Sequence, residues 1–562
     1  MAVDLARRLA VARGDEPADV VVRGGRVLSV FTREWLEASV AITDGWIAGI
    51  GDYEGNETID ATGTHVVPGF MDAHMHLESS KLLPDEFARL VLPLGTTAVV
   101  ADPHELANVL GTDGVHWLLD ASAEIPLDVF FMASSCVPAS VFESPRRSLT
   151  VGDLEGLLRR RRVIGLAEMM NFPGVVAGDE HELAKLALAT HVDGHAPGVR
   201  GRDLQAYAAA GIRSDHEAST ADEGRERLRA GMWLLVREAS AARNLQTLLP
   251  LAREYGPHRI AFCTDDREPE HIDADGHINA MVRDAVAFGI PPEDALVMAS
   301  HNVAQYHGLE HLGAVAPGRQ ADLLLLPDLE RFVPDLVLKR GSPVEQIPPA
   351  PVPEWVKHTV RLGALGPEMF RIPWDGGPAR VIGLIPGQII TESLVDEPAH
   401  SRGEAFADPE RDLAKIAVIE RHLGTGRIGL GFVRGFGLRR GALASTVSHD
   451  AHNVIVVGTD DTSMAFAVRR LANLGGGIVV VDGGEALAEL PLPVAGILSD
   501  RPLADVIAGS HAIVDAAAEL GCTIEAPIQL LAFLALSVIP SLKITDRGLV
   551  DVDRFELVPL GA

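Results

Sequence analysis

Between residues 66 and 312 the chain alternates eight apolar, strand-like runs with helix-like runs, and nothing else in it constrains the fold as tightly. The runs are VVPGFMDAHMH, TTAVVADPHE, DVFFMASS, VIGLAEMM, THVDGHA, IRSDHEA, MWLLVREA and IAFCTDD. Helical pieces such as EFARLVLPL and DEHELAKLALA separate them. Strands spaced by helices pair in parallel, because each crossover returns the chain to the same end of the sheet. Eight such units in roughly 250 residues predict an α/β fold with a (β/α)8 TIM-like barrel. The polar residues gather where each run ends, which is the end of a barrel that carries its chemistry.

Two β-rich patches flank this segment. DVVVRGGRVLSVF, ASVAITDGWIAGIG and ETIDATGTHVVPG precede it, and GAVAPGRQADLLLLPDLERFVPDLVLKRG follows. Together they predict one small composite β domain, residues 1–65 plus 313–345, around a barrel at 66–312. The Pro-rich stretch GSPVEQIPPAPVPEW leads into a linker at 346–375. An additional C-terminal α+β domain is expected at 376–562, with strands in ARVIGLIPG and HNVIVVGTD. Its helix candidate TSMAFAVRRLANLGGG ends in glycines suited to a C-cap. At 562 residues the chain exceeds what one ordinary core serves, in keeping with several units.

A formal charge of −29 argues against a nucleic-acid surface, which needs clustered Lys and Arg. The three cysteines, Cys136, Cys263 and Cys522, have no zinc-ribbon or disulfide spacing and suit a reducing cytoplasm. The N-terminus MAVDLARRLA has no apolar core of signal-peptide length. The most apolar stretch, Ile528 to Ile539, is bracketed by Pro527 and Pro540 and falls short of the ~20 residues a membrane helix needs. It reads as a buried segment. A cytoplasmic protein with no membrane partner is expected, and a homodimer is left open.

His74 and His76 end the first strand in GFMDAHMHLESS, and alternation by two puts both imidazoles on one strand face. An isolated H-x-H is as often incidental as chelating. Here Glu168 ends the fourth strand, His195 the fifth, His216 the sixth and Asp265 the eighth. Four histidines and two carboxylates converging on one barrel rim are hard to obtain by chance. Such ligands suit manganese, iron(II) or zinc, and six of them can hold two divalent ions with a bridging water.

These residues and their order resemble the amidohydrolase superfamily, and more closely the bacterial adenine deaminase family. GFMDAHMHLESS, DPHELANV, AEMMNFPGVV, DGHAPG, SDHEAST, CTDDREP and ASHNVAQYHGL resemble that family's motifs in its order. The resemblance continues through VIGLIPGQIIT, GFGLRRGALASTVSHDAHNVIVVGTDD, GGGIVVVDGG and ELPLPVAGILSD, so it covers nearly the whole chain. Lys81 departs from the pattern, which has Met there. The resemblance implies that His74, His76 and Asp265 bind one metal, that His195 and His216 bind a second, and that Glu168 bridges them. It implies adenine and water as substrates in purine salvage. Asp102, His104 and Glu105, after the second strand, are then expected to hold the purine, although Asp102 before Pro103 also reads as a plain turn. Arg237, with Glu238 at the end of the seventh strand, reads equally as a substrate contact or a salt bridge. His449, in the SHDAHN motif at 448–453, reads as a lid residue or as part of a hydrogen-bonded loop.

The expected chemistry is attack of an activated water on C6, because metal coordination brings a water pKa from ~15.7 to near 7. Asp265 would take the proton and pass it to the leaving amine. Glu105, or alternatively Glu217, would protonate a ring nitrogen. Three other readings compete. An N-acetylglucosamine-6-phosphate deacetylase would need a basic phosphate clamp at the rim, and none is evident. A mononuclear cytosine or guanine deaminase would not need Glu168 as a bridge. A binding protein on an inactive barrel would lack ligands, whereas all six are present. Action on another 6-aminopurine stays open.

Overall fold

The computed structural model describes residues 2–385 and 388–562. Met1, and Pro386 and Gly387 of VIGLIPGQIIT, lie outside the described residues.

Eight parallel strands form at the expected runs: β1 (Phe70–Met75), β2 (Thr96–Ala101), β3 (Asp128–Ser134), β4 (Val163–Met169), β5 (Val192–Gly194), β6 (Ser214–Asp215), β7 (Trp233–Arg237) and β8 (Ile260–Cys263). Strands β1 to β5 pair in sequence order, as do β6 to β8. Two seams join these ladders. Asp265 N donates to His74 O at 3.0 Å, and Arg213 N donates to Val192 O at 3.2 Å. Every residue of β1, β2 and β5 to β8 is buried. This is why the runs read as nearly continuous apolar segments: helices cover the outside and side chains fill the inside. At the β5–β6 seam a Cβ on Gly194 would come within 2.3 Å of Ser214 O, so only glycine allows that approach.

The first barrel run is shorter than its sequence suggests. Residues Val66, Val67 and Pro68 pair instead with Leu323–Leu325 in an antiparallel ladder. That ladder is the centre of a six-stranded sheet drawn from both sides of the barrel. Strands 18–23, 39–43, 46–51 and 55–60 form a four-stranded sheet beside it. Gly69 ends the outer strand, and Phe70 starts the inner one.

The segment at 346–375 is not a free tether. Trp117 Nε1 donates to Pro351 O at 2.8 Å, and Val356 and Phe370 are buried. Beyond it stands an eight-stranded, mainly antiparallel sheet. Its middle holds β9 (Ala442–Ser445) and β10 (Val454–Gly458), joined by a loop containing SHDAHN. Helix α1 (Asp461–Leu474) starts where Asp460 accepts the Ser463 N–H at 2.8 Å and stops at Gly475 with φ +79°. Helix α2 (Pro527–Phe533) holds the first half of the apolar segment at 528–539, and turns carry the rest. No helix among the described residues is long and apolar enough to cross a membrane.

Candidate metal centre and its roof

The barrel ends bring His74, His76, Glu168, His195, His216 and Asp265 together, all buried. Glu168 lies at the middle. Its Oε1 is 3.1 Å from His76 Nε2 and 3.6 Å from His74 Nε2. Its Oε2 is 2.8 Å from His195 Nδ1 and 3.1 Å from His216 Nε2. Asp265 Oδ1 is 3.2 Å from His76 Nε2. Asp265 itself adopts a left-handed φ of +55°, a conformation Asp tolerates better than bulkier residues and one that recurs at functional sites.

The far nitrogens of the H-x-H pair each have a neighbour that orients the ring. His76 Nδ1 donates to Asp102 O at 2.9 Å, and His74 Nδ1 faces Asp193 Oδ2 at 3.0 Å. A neutral imidazole held this way turns the Nε2 lone pair toward the carboxylate oxygens of Glu168 and Asp265. Lone pairs facing lone pairs at such distances repel unless a cation or proton lies between them. His74 Nε2 is fully buried and has no hydrogen-bond partner. The groups His74, His76, Glu168 and His74, His216, Asp265 each place one ligand atom per residue within 4.8 Å of the others. The donor set therefore fits divalent cations.

Burial alone would lower the His74 imidazole, but Asp193 and Glu168 outweigh it and lift it to about 10. His195 rises to about 9, against burial, beside Glu217 and Glu168. Glu168 is held well below the usual carboxylate range, because His216 and His195 more than offset its burial.

Arg237 spans the cluster's edge. Its Nη1 donates to Asp265 Oδ2 at 2.7 Å and also pairs with Glu217. The salt-bridge reading of Arg237 thus describes its contacts, and it lines the cavity as well. Asp102 and Glu105, expected as purine contacts, lie behind the cavity wall. Asp102 takes a hydrogen bond from Ser134 and sits 3.2 Å from His104 Nδ1, so it orients His104, which does line the cavity. Glu105 accepts from Ser79 Oγ at 3.1 Å and faces His452 Nε2 at 3.3 Å. Burial would raise its carboxyl, but His449 and His452 outweigh that and keep it ionised. Lys81 is buried and pairs with Glu268 Oε1 at 2.5 Å.

The cavity above the cluster is about 30 Å³, room for about two waters. The barrel forms its floor, and loops and helix α2 of the C-terminal domain form its roof, through Ile389, His449, Asp450, Gln529, Phe533, Leu536 and Ile539. SHDAHN divides its labour. Ser448 N donates to His452 Nδ1 at 3.1 Å and Asn453 Oδ1 accepts the Arg421 N–H at 3.1 Å, fixing the loop. His449 and Asp450 turn into the cavity, and His449 stacks on Phe533 with centroids 4.5 Å apart and planes 16° apart. Asp193, Asp266 and the α2 residues were not singled out from the sequence. Asp193 had a signal, two places before His195 on one strand face, whereas Gln529 and Phe533 sit in a run marked only by its apolarity.

A parallel barrel with imidazole and carboxylate ligands at its C-terminal ends defines an amidohydrolase-type metal site. The amidohydrolase family profile matches residues 65–344, and the profile described as the adenine deaminase C-terminal domain matches residues 388–556. The chain is 46% identical to an adenine deaminase of Desulfatibacillum aliphaticivorans, covering 98% of this chain and 99% of that one. It is 47% identical to the adenine deaminase of Methylobacterium nodulans, covering 99% and 100%, and 47% to that of Cereibacter sphaeroides, covering 97% and 98%. The chain belongs to the adenine deaminase family.

Proposed function

We infer that this protein hydrolyses the exocyclic C–N bond of adenine, adding water and releasing hypoxanthine and ammonia. The observation that carries the reading is the cavity's construction: a cation-demanding floor closed by a roof from the C-terminal domain that marks this family. In this reading His74, His76 and Asp265 would hold one divalent ion, His195 and His216 would hold another, and Glu168 would serve both. The ions are manganese, iron(II) or zinc. When bound, they supply Lewis acidity that makes water nucleophilic at neutral pH.

The chain's own groups do the rest. Asp265 takes the proton of the attacking water and returns it to the departing amine. Arg237 donates to Asp265 Oδ2 and so fixes the orientation of the carboxylate that exchanges the proton. Glu217, on the cavity wall, is better placed than Glu105 to bring a proton to a ring nitrogen. Glu105 instead acts through His449, and Asp102 through His104. The apolar roof residues Phe533, Leu536 and Ile539 exclude bulk water, and they must move apart to admit a purine into so small a space. The partition into a composite β domain, a barrel and a C-terminal domain serves this design, since each site wall has its own scaffold.

The test is ammonia release together with the fall in adenine absorbance, on manganese-loaded protein, for adenine, adenosine and cytosine. Adenine is expected to exceed both others in kcat/KM by ~10⁴ or more, as in sites whose polar partners are left unpaired by the wrong ligand. Equal or better turnover of adenosine or cytosine overturns the assignment to adenine.

A further inference from the structure

One roof group is chemically unsatisfied in a way the reaction itself does not explain. Gln529, on α2, is 6% exposed and lines the cavity. Its Nε2 donates to Asp266 O across a long 3.4 Å, and its Oε1 is buried with no partner. The amide orientation is not arbitrary, because flipping it would set Oε1 against the Asp266 carbonyl oxygen. A buried amide oxygen without a donor costs stability unless something fills the role. Among the neighbouring roof residues, Ile389, Phe533, Leu536 and Ile539 have apolar side chains, and His449, stacked on Phe533, makes no hydrogen bond to this oxygen.

Adenine has three places where a hydrogen-bond donor sits beside an acceptor. Two use the amino group, with N1 or with N7, and that group must face the floor to be replaced. The third is N9–H beside N3, on the far side of the ring from C6. A carboxamide offers the matching pair, an acceptor oxygen and an N–H2 donor. We propose that Gln529 reads this edge, with Oε1 accepting the N9–H and Nε2 donating to N3, and so selects the free base over purines substituted at N9. Gln529 is thus a specificity-determining residue, a role that rests on the deaminase reading. The weak bond to Asp266 is the one given up when the purine arrives.

The experiment compares kcat/KM for adenine, 9-methyladenine and 3-deazaadenine in the metal-loaded wild type, Gln529→Leu and Gln529→Glu, with metal content measured for each. Wild type is expected to prefer adenine over both analogues. Gln529→Leu should lose about 10- to 100-fold on adenine, with both preferences shrinking by a similar factor, because the hydrogen bonds that the analogues lack no longer exist for adenine either. Gln529→Glu keeps the acceptor and removes the donor. It should retain discrimination against 9-methyladenine while losing that against 3-deazaadenine. Unchanged preferences in both variants, or equal proportional losses on all three substrates, overturn the proposal. Wild-type protein that releases ammonia from no purine overturns the deaminase reading and this inference with it.

Discussion

The floor and the roof of the cavity are built on opposite principles. The floor comes from strand ends of a parallel barrel and is crowded with groups that charge: four imidazoles, Glu168, Glu217, Asp265 and Arg237, all buried. Their geometry closes only around added positive charge. The roof comes from loops of the antiparallel sheet's domain and from a short helix, and apart from His449 and Asp450 it presents apolar side chains and one neutral amide. Even its buried cation differs. Lys543, fully buried, donates to the carbonyl oxygens of Ile389 at 2.8 Å and Phe533 at 3.1 Å and has no carboxylate partner among the described residues. A wall that holds cations needs unsaturated charge, whereas a wall that holds a neutral base and excludes water needs little.

This contrast is broken most sharply at Glu168. Glu168→Gln keeps the shape but removes the charge facing four imidazoles. Activity is expected to fall at least ~100-fold, as when metal-site support is removed, with lower metal content by elemental analysis. Normal turnover with metals retained would mean that the floor does not depend on that charge.

A roof variant should separate turnover from metal. His449→Ala removes the ring stacked on Phe533 and the charge beside Glu105, with no ligand atom lost from the floor. Turnover is expected to drop ~10- to 100-fold, the range of effects when positioning is lost, while metal content stays at the wild-type level. A parallel loss of metal would show that the two walls are not independent.

The smallest effect concerns Lys543. Burial pulls its amine down to about 7, from ~10.4 in an unfolded chain. Between these values the unfolded chain binds the extra proton, so stability rises with pH through this window, and below about 7 the full cost of burying the charge applies. Lys543→Met lacks this dependence. The wild-type Tm minus that of Lys543→Met is therefore expected to increase by a few degrees from pH 7 to pH 10, read by thermal shift. A difference that stays constant would show that the amine titrates alike in both states.

Much of the floor was legible because a barrel strand ties sequence position to spatial position. A polar residue at the end of an apolar run must emerge at the rim, so His74, His76, Glu168, His195, His216 and Asp265 could be picked one by one. The same rule does not say which way Asp102 and Glu105 face. They too follow a strand, but whether a side chain past the last ladder bond faces the cavity or the wall behind it depends on the loop's path. Asp102 turns to Ser134 and His104, and Glu105 to Ser79 and His452. The boundary at 66–68 shifted for a related reason: an apolar run does not say with which of two sheets it pairs.

The chain by itself determined the eight-unit barrel, the family and the cluster of imidazoles and carboxylates at the rim, because periodicity and strand-end chemistry are local properties that survive into the fold. Only the tertiary structure decided which residues line the cavity above that rim. Gln529 and Phe533 lie more than 260 residues from Asp265 in the chain, yet the Gln529 amide reaches the backbone of Asp266. No local pattern distinguishes an apolar helix that roofs a site from one that fills a core. The distinction is made by what lies opposite, and long-range packing alone supplies that.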